Sequence, residues 1–184
     1  MPLTARFLRY FYFAYLARPK SDRTLFRAAH RARARRILEI GVGDCRRGRR
    51  LIDLARLATR DAAVAYTGID LFEARPSNDG LPLREAYRQL VARGARVRLV
   101  PGEIHEALAA AINSGLGKQD FILVSADHDV ESLDRAWHLL ARLVHDRTVV
   151  FIERAADGNR PTLRLVTQDE LRPKPAIVSR RRAA

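Results

Sequence analysis

The stretch Ile37-Leu38-Glu39-Ile40-Gly41-Val42-Gly43-Asp44-Cys45 decides the fold predicted for this chain. Its apolar half has the continuous hydrophobic character of a strand that is buried on both faces of a sheet. Two glycines separated by one residue then allow the sharp turn and close backbone approach that phosphate- and nucleotide-binding loops require. The stretch therefore predicts a buried strand, Arg36 to Ile40, which turns at its carboxyl end into a ligand-binding loop.

Strand and helix patterns alternate along the rest of the chain. Apolar runs predict strands over residues 36–40, 63–69, 96–100, 120–125 and 147–152. Helical periodicity predicts helices over residues 21–33, 46–59, 83–93, 103–113 and 130–144. Residues 71–82 are predicted to form a loop, and Thr162–Thr167 with Ala176–Ser179 a short terminal hairpin. This order predicts an α/β fold with an open, doubly wound, mostly parallel sheet, helices on both faces and a shortened C-terminal end.

The composition is that of a globular domain with a strong positive charge. Hydrophobic residues make up 47% of the 184 residues and charged residues 30%, with a formal net charge of +13 and a pI of about 11.1. The length suits one domain, and no run approaches the roughly 20 apolar residues that span a bilayer. The single cysteine excludes an internal disulfide, and no Cys/His spacing resembles a zinc site. The composition is typical of a cytoplasmic protein.

Two explanations of the charge stay open. A basic surface attracts nucleic acid, acidic membranes and anionic substrates. However, nearly all the cations are arginines, with lysine only at Lys20, Lys118 and Lys174, and a GC-rich coding bias would also supply arginine. The sequence favours neither explanation over the other.

Residues 1–20 are predicted to form a separate aromatic N-terminal element. Leu3 to Ala17 is densely aromatic and is flanked by basic residues, which predicts a helix with apolar surface on more than one side. Three roles stay open for this helix: packing on the domain or on a second subunit of a homodimer, a lid over a substrate pocket, and a shallow membrane contact.

The glycine turn fits a nicotinamide dinucleotide poorly, because Arg46 occupies the position where that motif has its third glycine. The stretch instead resembles the first motif of the class I S-adenosylmethionine-dependent methyltransferases, in which an acid precedes two or three alternate small residues. The matching residues are Glu39, Gly41, Gly43 and Cys45, with Cys45 where a third glycine is common. The resemblance runs from about Leu25 to Glu153. It implies a Rossmann-like methyltransferase domain over residues 21–179, followed by a basic tail at residues 180–184, and S-adenosylmethionine as the cofactor.

The resemblance assigns further cofactor contacts to the next strand ends. Asp70, at the end of the second strand, takes the place of the acid that accepts both ribose hydroxyls. Glu103 takes the place of the carboxylate that meets the adenine amino group. The remaining cofactor residues that the resemblance implies are Gly102, Ile104, Ser125, and Leu71 or Phe72 on the purine face.

The end of the fourth strand resembles the corresponding motif of the small-molecule O-methyltransferase branch. There the resemblance implies catalytic roles for His128, as a general base that titrates near neutrality, and for Asp127. A merely structural role for His128, in ordering the loop, stays open. Metal-dependent relatives have Asp where this chain has Ser125, so no metal is expected, although Asp127, Asp129 and Glu153 could gather around a hard cation.

The function expected from the sequence is an S-adenosylmethionine-dependent methyltransferase that acts on a small molecule. One alternative is a non-catalytic binding protein that keeps the methyltransferase fold. Another is a methyltransferase that acts on RNA or another polyanion, which the charge favours. Against the last, no Asn-Pro-Pro-Tyr type of motif for a flipped base follows the fourth strand.

Overall fold

One sheet organises the chain. The computed structural model describes residues 3–60, 62–75, 80–126, 130–154 and 161–171. The strands of these residues are β1 (Arg36–Ile40), β2 (Ala65–Asp70), β3 (Arg96–Pro101), β4 (Phe121–Val124), β5 (Val149–Arg154) and β6 (Thr162–Val166). Their order across the sheet is β3-β2-β1-β4-β5-β6, with β1 to β5 parallel and β6 antiparallel to β5. The predicted doubly wound, mostly parallel sheet is confirmed.

Helices cover both faces of the sheet. They are α1 (Leu3–Phe11), α2 (Asp22–Arg31), α3 (Arg46–Ala58), α4 (Leu83–Val91), α5 (Ile104–Asn113), α6 (Val130–Arg142) and α7 (Gln168–Leu171). A π-helical segment, Tyr12–Leu16, continues α1, and a 3₁₀ turn covers Phe72–Ala74. Among the described residues no helix is long and apolar enough to cross a bilayer.

Several predicted elements differ in part from the structure. The N-terminal helix changes from α to π geometry at Tyr12, and the loop predicted over residues 71–82 contains a helical turn. The strand predicted at Thr162–Thr167 is present, but it pairs with β5. Its predicted hairpin partner, Ala176–Ser179, lies outside the described residues, as does the tail at residues 180–184.

The side chains of β1 alternate between two apolar layers. Ile37 joins the core that α2, α3 and α4 cover, whereas Leu38 and Ile40 join the core beneath α5 and α6. All three side chains are fully buried. This alternation explains the continuous apolar run, because a strand with helices on both faces has no solvent-facing side.

Asp120 joins the amino-terminal ends of β4 and β1. Its Oδ2 accepts hydrogen bonds from the backbone N–H groups of Arg35 and Arg36 at 2.7 and 2.8 Å, and its Oδ1 lies 3.0 Å from His145 Nε2. Burial would raise the pKa of Asp120, but these hydrogen bonds outweigh burial and lower it.

The strand order creates a switch point between β1 and β4. The chain moves outward from β1 to β2 and β3 and then returns to β4 on the other side of β1. Ligands of doubly wound sheets bind in the crevice outside the carboxyl ends of the strands at such a point. The residues that follow β1 and β4, beginning with Gly41 and Ser125, therefore border the candidate site.

Candidate functional site

The glycine turn after β1 is built on two left-handed backbone positions. Gly41 has φ +86° and Gly43 has φ +56°, conformations that L side chains rarely adopt. The turn is tied to the neighbouring strand, because the Gly41 N–H donates to the Ile69 carbonyl at 2.8 Å. The Gly43 N–H donates to Asp70 Oδ2, also at 2.8 Å. The turn and the carboxylate that ends β2 therefore form one unit.

Asp70 is held by an arginine from its own loop. Arg75 donates two hydrogen bonds, from Nε to Oδ1 and from Nη2 to Oδ2, each 2.7 Å long. The Phe72 N–H donates to Oδ1 at 3.2 Å. Burial would raise the pKa of Asp70, but the Arg75 and Gly43 donors outweigh burial and lower it. Asp70 is thus an ionised acceptor that receives a bidentate pair of donors.

The end of β3 lies beside the end of β2. Asp70 is in register with Pro101, and the Gly102 N–H donates to the Asp70 carbonyl at 3.0 Å. Gly102 has φ +130°, and the exposed Glu103 precedes α5 without a side-chain capping bond to that helix in the described structure. The two carboxylates that the sequence assigns to ribose and adenine therefore lie on adjacent strand ends.

Not every predicted cofactor residue reaches the surface. Glu39, Cys45 and Ile104 are fully buried. Phe72, one of the two candidates for the purine face, packs in the core with an exposed fraction of 1%, which leaves the half-buried Leu71. In this structure these buried residues lie beneath the carboxyl ends of the strands and support them. A direct contact between these residues and a ligand stays a prediction.

A buried ion network lies under the glycine turn. Arg47, near the start of α3, donates from Nε to Glu39 Oε1 and from Nη1 to Glu153 Oε2, each at 2.9 Å. The Tyr66 hydroxyl donates to Glu39 Oε2 at 2.5 Å, and the Ser125 hydroxyl donates to Glu153 Oε2 at 3.4 Å. The network links the carboxyl ends of β1, β4 and β5.

The charges of this network depend on one another. Burial raises the pKa of Glu39, although Arg47 and Tyr66 oppose the shift. Burial would lower the pKa of Arg47, but Glu39 and Glu153 outweigh it and raise the pKa further. Removing either partner would leave a charge buried without compensation.

The sequence of α3 carries a signal of this network. Positive charge near a helix N-terminus opposes the helix dipole, yet the first four residues of α3 include three arginines and no acid. Such a turn needs carboxylates from elsewhere in the fold. Gly48 leaves room for the hydrogen bond between Tyr66 and Glu39, because a Cβ at position 48 would lie 2.6 Å from Tyr66 Oη and 2.9 Å from Glu39 Oε2.

A cleft of about 290 Å³ opens beside the glycine turn. Its charged lining comes from the segment before α2, from α2, from the turn, from α3 and from β5. The charged residues are Arg18, Asp22, Asp44, Arg46, Arg47, Arg50 and Glu153. Arg50 Nη1 donates to the Arg18 carbonyl at 2.6 Å and lies 3.9 Å from Asp22 Oδ2, and burial raises the pKa of Asp22. Cations and anions therefore both line the cleft.

The structure brings together most of the predicted strand-end residues. Gly41, Gly43 and Ser125 line the cleft, whereas Asp70 and Glu103 lie at the neighbouring strand ends outside its lining. The predicted catalytic residues Asp127 and His128, and also Asp129, lie outside the described residues. Glu153, the third acid of the alternative cation site, is paired with Arg47.

Sequence reasoning missed the arginines of the site. Arg47 and Arg75 hold the key carboxylates, and Arg18 and Arg50 form a wall of the cleft. The unfavourable charge at the start of α3 could have indicated Arg47. Arg75 follows Asp70 by five residues in a stretch without helical or strand periodicity, so the sequence holds no comparable signal for it.

The fold is that of the class I S-adenosylmethionine-dependent methyltransferases. No protein-family model matches the sequence, and no curated protein matches it either. Solved structures of methyltransferases do match, and with them the resemblance noted in the sequence is confirmed at the level of the fold.

Three similar structures illustrate the match. An O-methyltransferase from Bacillus cereus in complex with SAH is 18% identical, with a TM-score of 0.56 over 83% of this chain and 67% of that one. The O-methyltransferase TomG of tomaymycin synthesis from Streptomyces achromogenes, in complex with SAM, is 20% identical, with a TM-score of 0.53 over 71% of this chain and 53% of that one. Cofactor-bound Rv0187 from MTB is 21% identical, with a TM-score of 0.52 over 82% of this chain and 64% of that one. This chain thus spans 53% to 67% of the three proteins.

Proposed function

We propose that this protein binds S-adenosylmethionine along the carboxyl ends of β1, β2 and β3 and transfers its methyl group to a small molecule. The chemistry that this cofactor supplies is an electrophilic methyl group on a sulfonium sulfur. Residues present at the strand ends match the polar groups of such a ligand from one end to the other. Asp70 suits the ribose diol, and Glu103 suits the adenine amino group.

One observation carries this proposal: the way in which Asp70 is held. Its carboxylate is oriented by the Gly43 N–H and accepts two donors side by side from Arg75. A vicinal diol also offers two O–H donors side by side, so the arginine fork occupies the positions that ribose hydroxyls would take. The carboxylate of Asp70 is thus oriented so that its two oxygens can accept a pair of donors beside the glycine turn.

The charged cleft supports the other half of the proposal. Arg18, Arg46 and Arg50 suit a carboxylate, whereas Asp22 and Glu153 suit an ammonium group. The methionine end of the cofactor carries both groups, and an anionic methyl acceptor would be attracted by the same arginines. The cleft therefore favours a zwitterionic end of the cofactor together with an anionic small substrate.

Methyl transfer needs alignment of a nucleophile with the methyl group and removal of a proton from that nucleophile. Ser125 follows β4 and lines the cleft, and Asp127 and His128 come two and three residues later in the sequence. We propose His128 as the proton acceptor and Asp127 as its neighbouring acid. His128→Gln should then lower kcat while leaving cofactor binding intact, because the base acts only in the chemical step.

Calorimetric titration with S-adenosylmethionine and S-adenosylhomocysteine tests the cofactor. Asp70→Asn keeps the size of the side chain but removes one acceptor oxygen and the charge, so binding should weaken by at least about tenfold. Asp134→Ala, an exposed acid on α6, is the matched control and should bind as the wild type does. If the wild type shows no heat with either ligand, or if Asp70→Asn binds with unchanged affinity, the proposal is wrong.

A second candidate function is ligand binding without catalysis. Arg47 neutralises Glu153, the acid that would complete a cation site, and Arg75 occupies Asp70. Both contacts suit a fold that retains a pocket without using it for chemistry. Methyl transfer to any acceptor from labelled S-adenosylmethionine would exclude this candidate, and cofactor binding without transfer to a broad acceptor panel would favour it.

A further inference from the structure

The N-terminal helical segment has two apolar faces. One face packs inward, where Phe13, Ala14 and Ala17 are buried. The ring centroids of Phe13 and Phe26 are 5.7 Å apart, and those of Tyr10 and His30 are 4.1 Å apart. The opposite face carries six large apolar side chains at helical spacing. This exposed stripe consists of Phe7, Leu8, Phe11, Tyr12, Tyr15 and Leu16.

The stripe is continuous. The exposed fractions of its side chains run from 43% for Phe11 to 66% for Leu8. Its rings touch along the helix, with centroids of Phe7 and Phe11 6.4 Å apart and those of Phe11 and Tyr15 5.1 Å apart. An apolar groove lined in part by Phe7, Leu8 and Leu57 extends the same surface. Contiguous apolar surface of this kind marks an interaction site, unlike isolated exposed side chains.

The charged residues of the segment that carries the stripe are all of one sign. Residues 1–21 contain Arg6, Arg9, Arg18 and Lys20 and no acid. Arg6 and Arg9 hold the helix to the domain, through the Leu57 carbonyl at 2.6 Å and Asp53 at 2.7 Å. Arg18 and Lys20 are exposed at the end of the stripe.

This charge pattern decides between two possible occupants. A second copy of the chain carries the same formal net charge of +13, and its residues 1–21 offer the exposed cations no acidic partner. An anionic lipid surface instead removes apolar side chains from water and pairs with the exposed cations. The rings of Tyr12 and Tyr15 suit the headgroup level of a bilayer, where the ring is buried and the hydroxyl stays hydrated.

We propose that the exposed stripe docks this protein on the surface of an anionic lipid bilayer, with residues 3–16 lying flat in the headgroup region. The inward face keeps its contacts with the domain, so docking requires no rearrangement of the fold. The stripe ends at Leu16, and Arg18 and Pro19 already line the charged cleft. Docking therefore brings the cleft close to the lipid headgroups. The proposal stands on the helix alone and does not depend on methyl transfer.

Vesicle flotation of the full chain tests the proposal. We expect binding to vesicles of equal parts phosphatidylcholine and phosphatidylglycerol at low salt, much weaker binding to phosphatidylcholine alone, and release from the mixed vesicles at about 0.5 M salt. Phe7→Ser should lower the partition coefficient by about tenfold, and the Phe7→Ser/Phe11→Ser double variant should lower it further. Both side chains are exposed and neither belongs to the buried core, so the Tm of each variant should stay near that of the wild type.

Tyr87→Ser is the matched control, because Tyr87 on α4 is 50% exposed and lies outside the stripe. It should partition as the wild type does. The proposal is overturned if the wild type does not float with the mixed vesicles, if binding is the same on phosphatidylcholine alone, or if Phe7→Ser weakens binding no more than Tyr87→Ser. It is also overturned if the chain forms a dimer that Phe7→Ser dissociates and that does not bind vesicles.

Discussion

Replacing Arg75 with alanine should tighten the binding of S-adenosylmethionine while lowering the stability of the protein. Arg75 and a ribose diol compete for the same two oxygens of Asp70. The wild type must release the arginine before the diol can bind, so its apparent affinity is reduced by the fraction of molecules in which Asp70 is free. The Arg75→Ala variant has no such competitor.

The magnitude follows from the contacts. Two hydrogen bonds of 2.7 Å join a guanidinium that is 13% exposed to a carboxylate that is 3% exposed. A hydrogen bond to a charged group contributes about 1.5–3 kcal/mol net, and rehydration of the released arginine recovers part of the free energy of the ion pair. An opening cost of about 1.5–3 kcal/mol corresponds to an affinity gain of about 10- to 100-fold. The variant should also lose about 1–3 kcal/mol of unfolding free energy, since a buried carboxylate loses its counter-ion.

Titration calorimetry and urea unfolding measure the two effects. Arg88→Ala is the control, because Arg88 forms an exposed ion pair with Glu85 on α4, and it should change neither quantity by much. Arg75→Lys keeps the charge but loses the planar fork, so its affinity should lie between those of the wild type and Arg75→Ala. General damage to the site would lower affinity and stability together. A variant that binds the cofactor no more tightly than the wild type refutes the reasoning.

The remaining predictions concern the buried network and the sheet. Gly48→Ala should lower the unfolding free energy by about 1–3 kcal/mol in urea, because its Cβ would collide with Tyr66 and Glu39. Tyr66→Phe should cost about 1–3 kcal/mol, since Glu39 loses a buried donor. The folded-state pKa of Asp120 is lowered, so the stability that its carboxylate contributes is present above the ordinary pKa of 3.8 and is lost as the pH falls below that value. Asp120→Asn should therefore reduce the loss of unfolding free energy at acid pH, as urea unfolding at a series of pH values would show. Burial raises the pKa of Cys45 to about 12, so iodoacetamide should alkylate it in the unfolded but not in the native protein, as mass spectrometry would show.

Much of the fold was predictable because local chemistry decides it. The apolar run of β1 and the glycines after it specify a buried strand and a sharp turn without reference to the rest of the chain. The bounds of β1 are those predicted, and the predicted parallel order places the turn, Asp70 and Glu103 at one edge. Element ends were less predictable: β2 was expected to begin at Ala63 but begins at Ala65.

The pairing of charges was not predictable in the same way. The chain has 34 lysines and arginines for 21 acids, and long flexible side chains give each acid many possible partners. Arg47 joins Glu39 to Glu153, and the second of these contacts spans 106 residues of sequence. Only the packing of α3 against the sheet brings these three groups together.

The sequence by itself determined the glycine turn, the parallel strands and the carboxylates at their ends, because backbone sterics and hydrophobic periodicity act over a few residues. The tertiary structure alone decided which carboxylates are held by arginines and which helical face stays exposed. Asp70 is paired with Arg75, and Glu103 is exposed. The N-terminal helix buries one apolar face and leaves the other exposed to solvent. These outcomes depend on distances between groups that are remote in sequence, and the periodicity of the sequence carries no information about such distances.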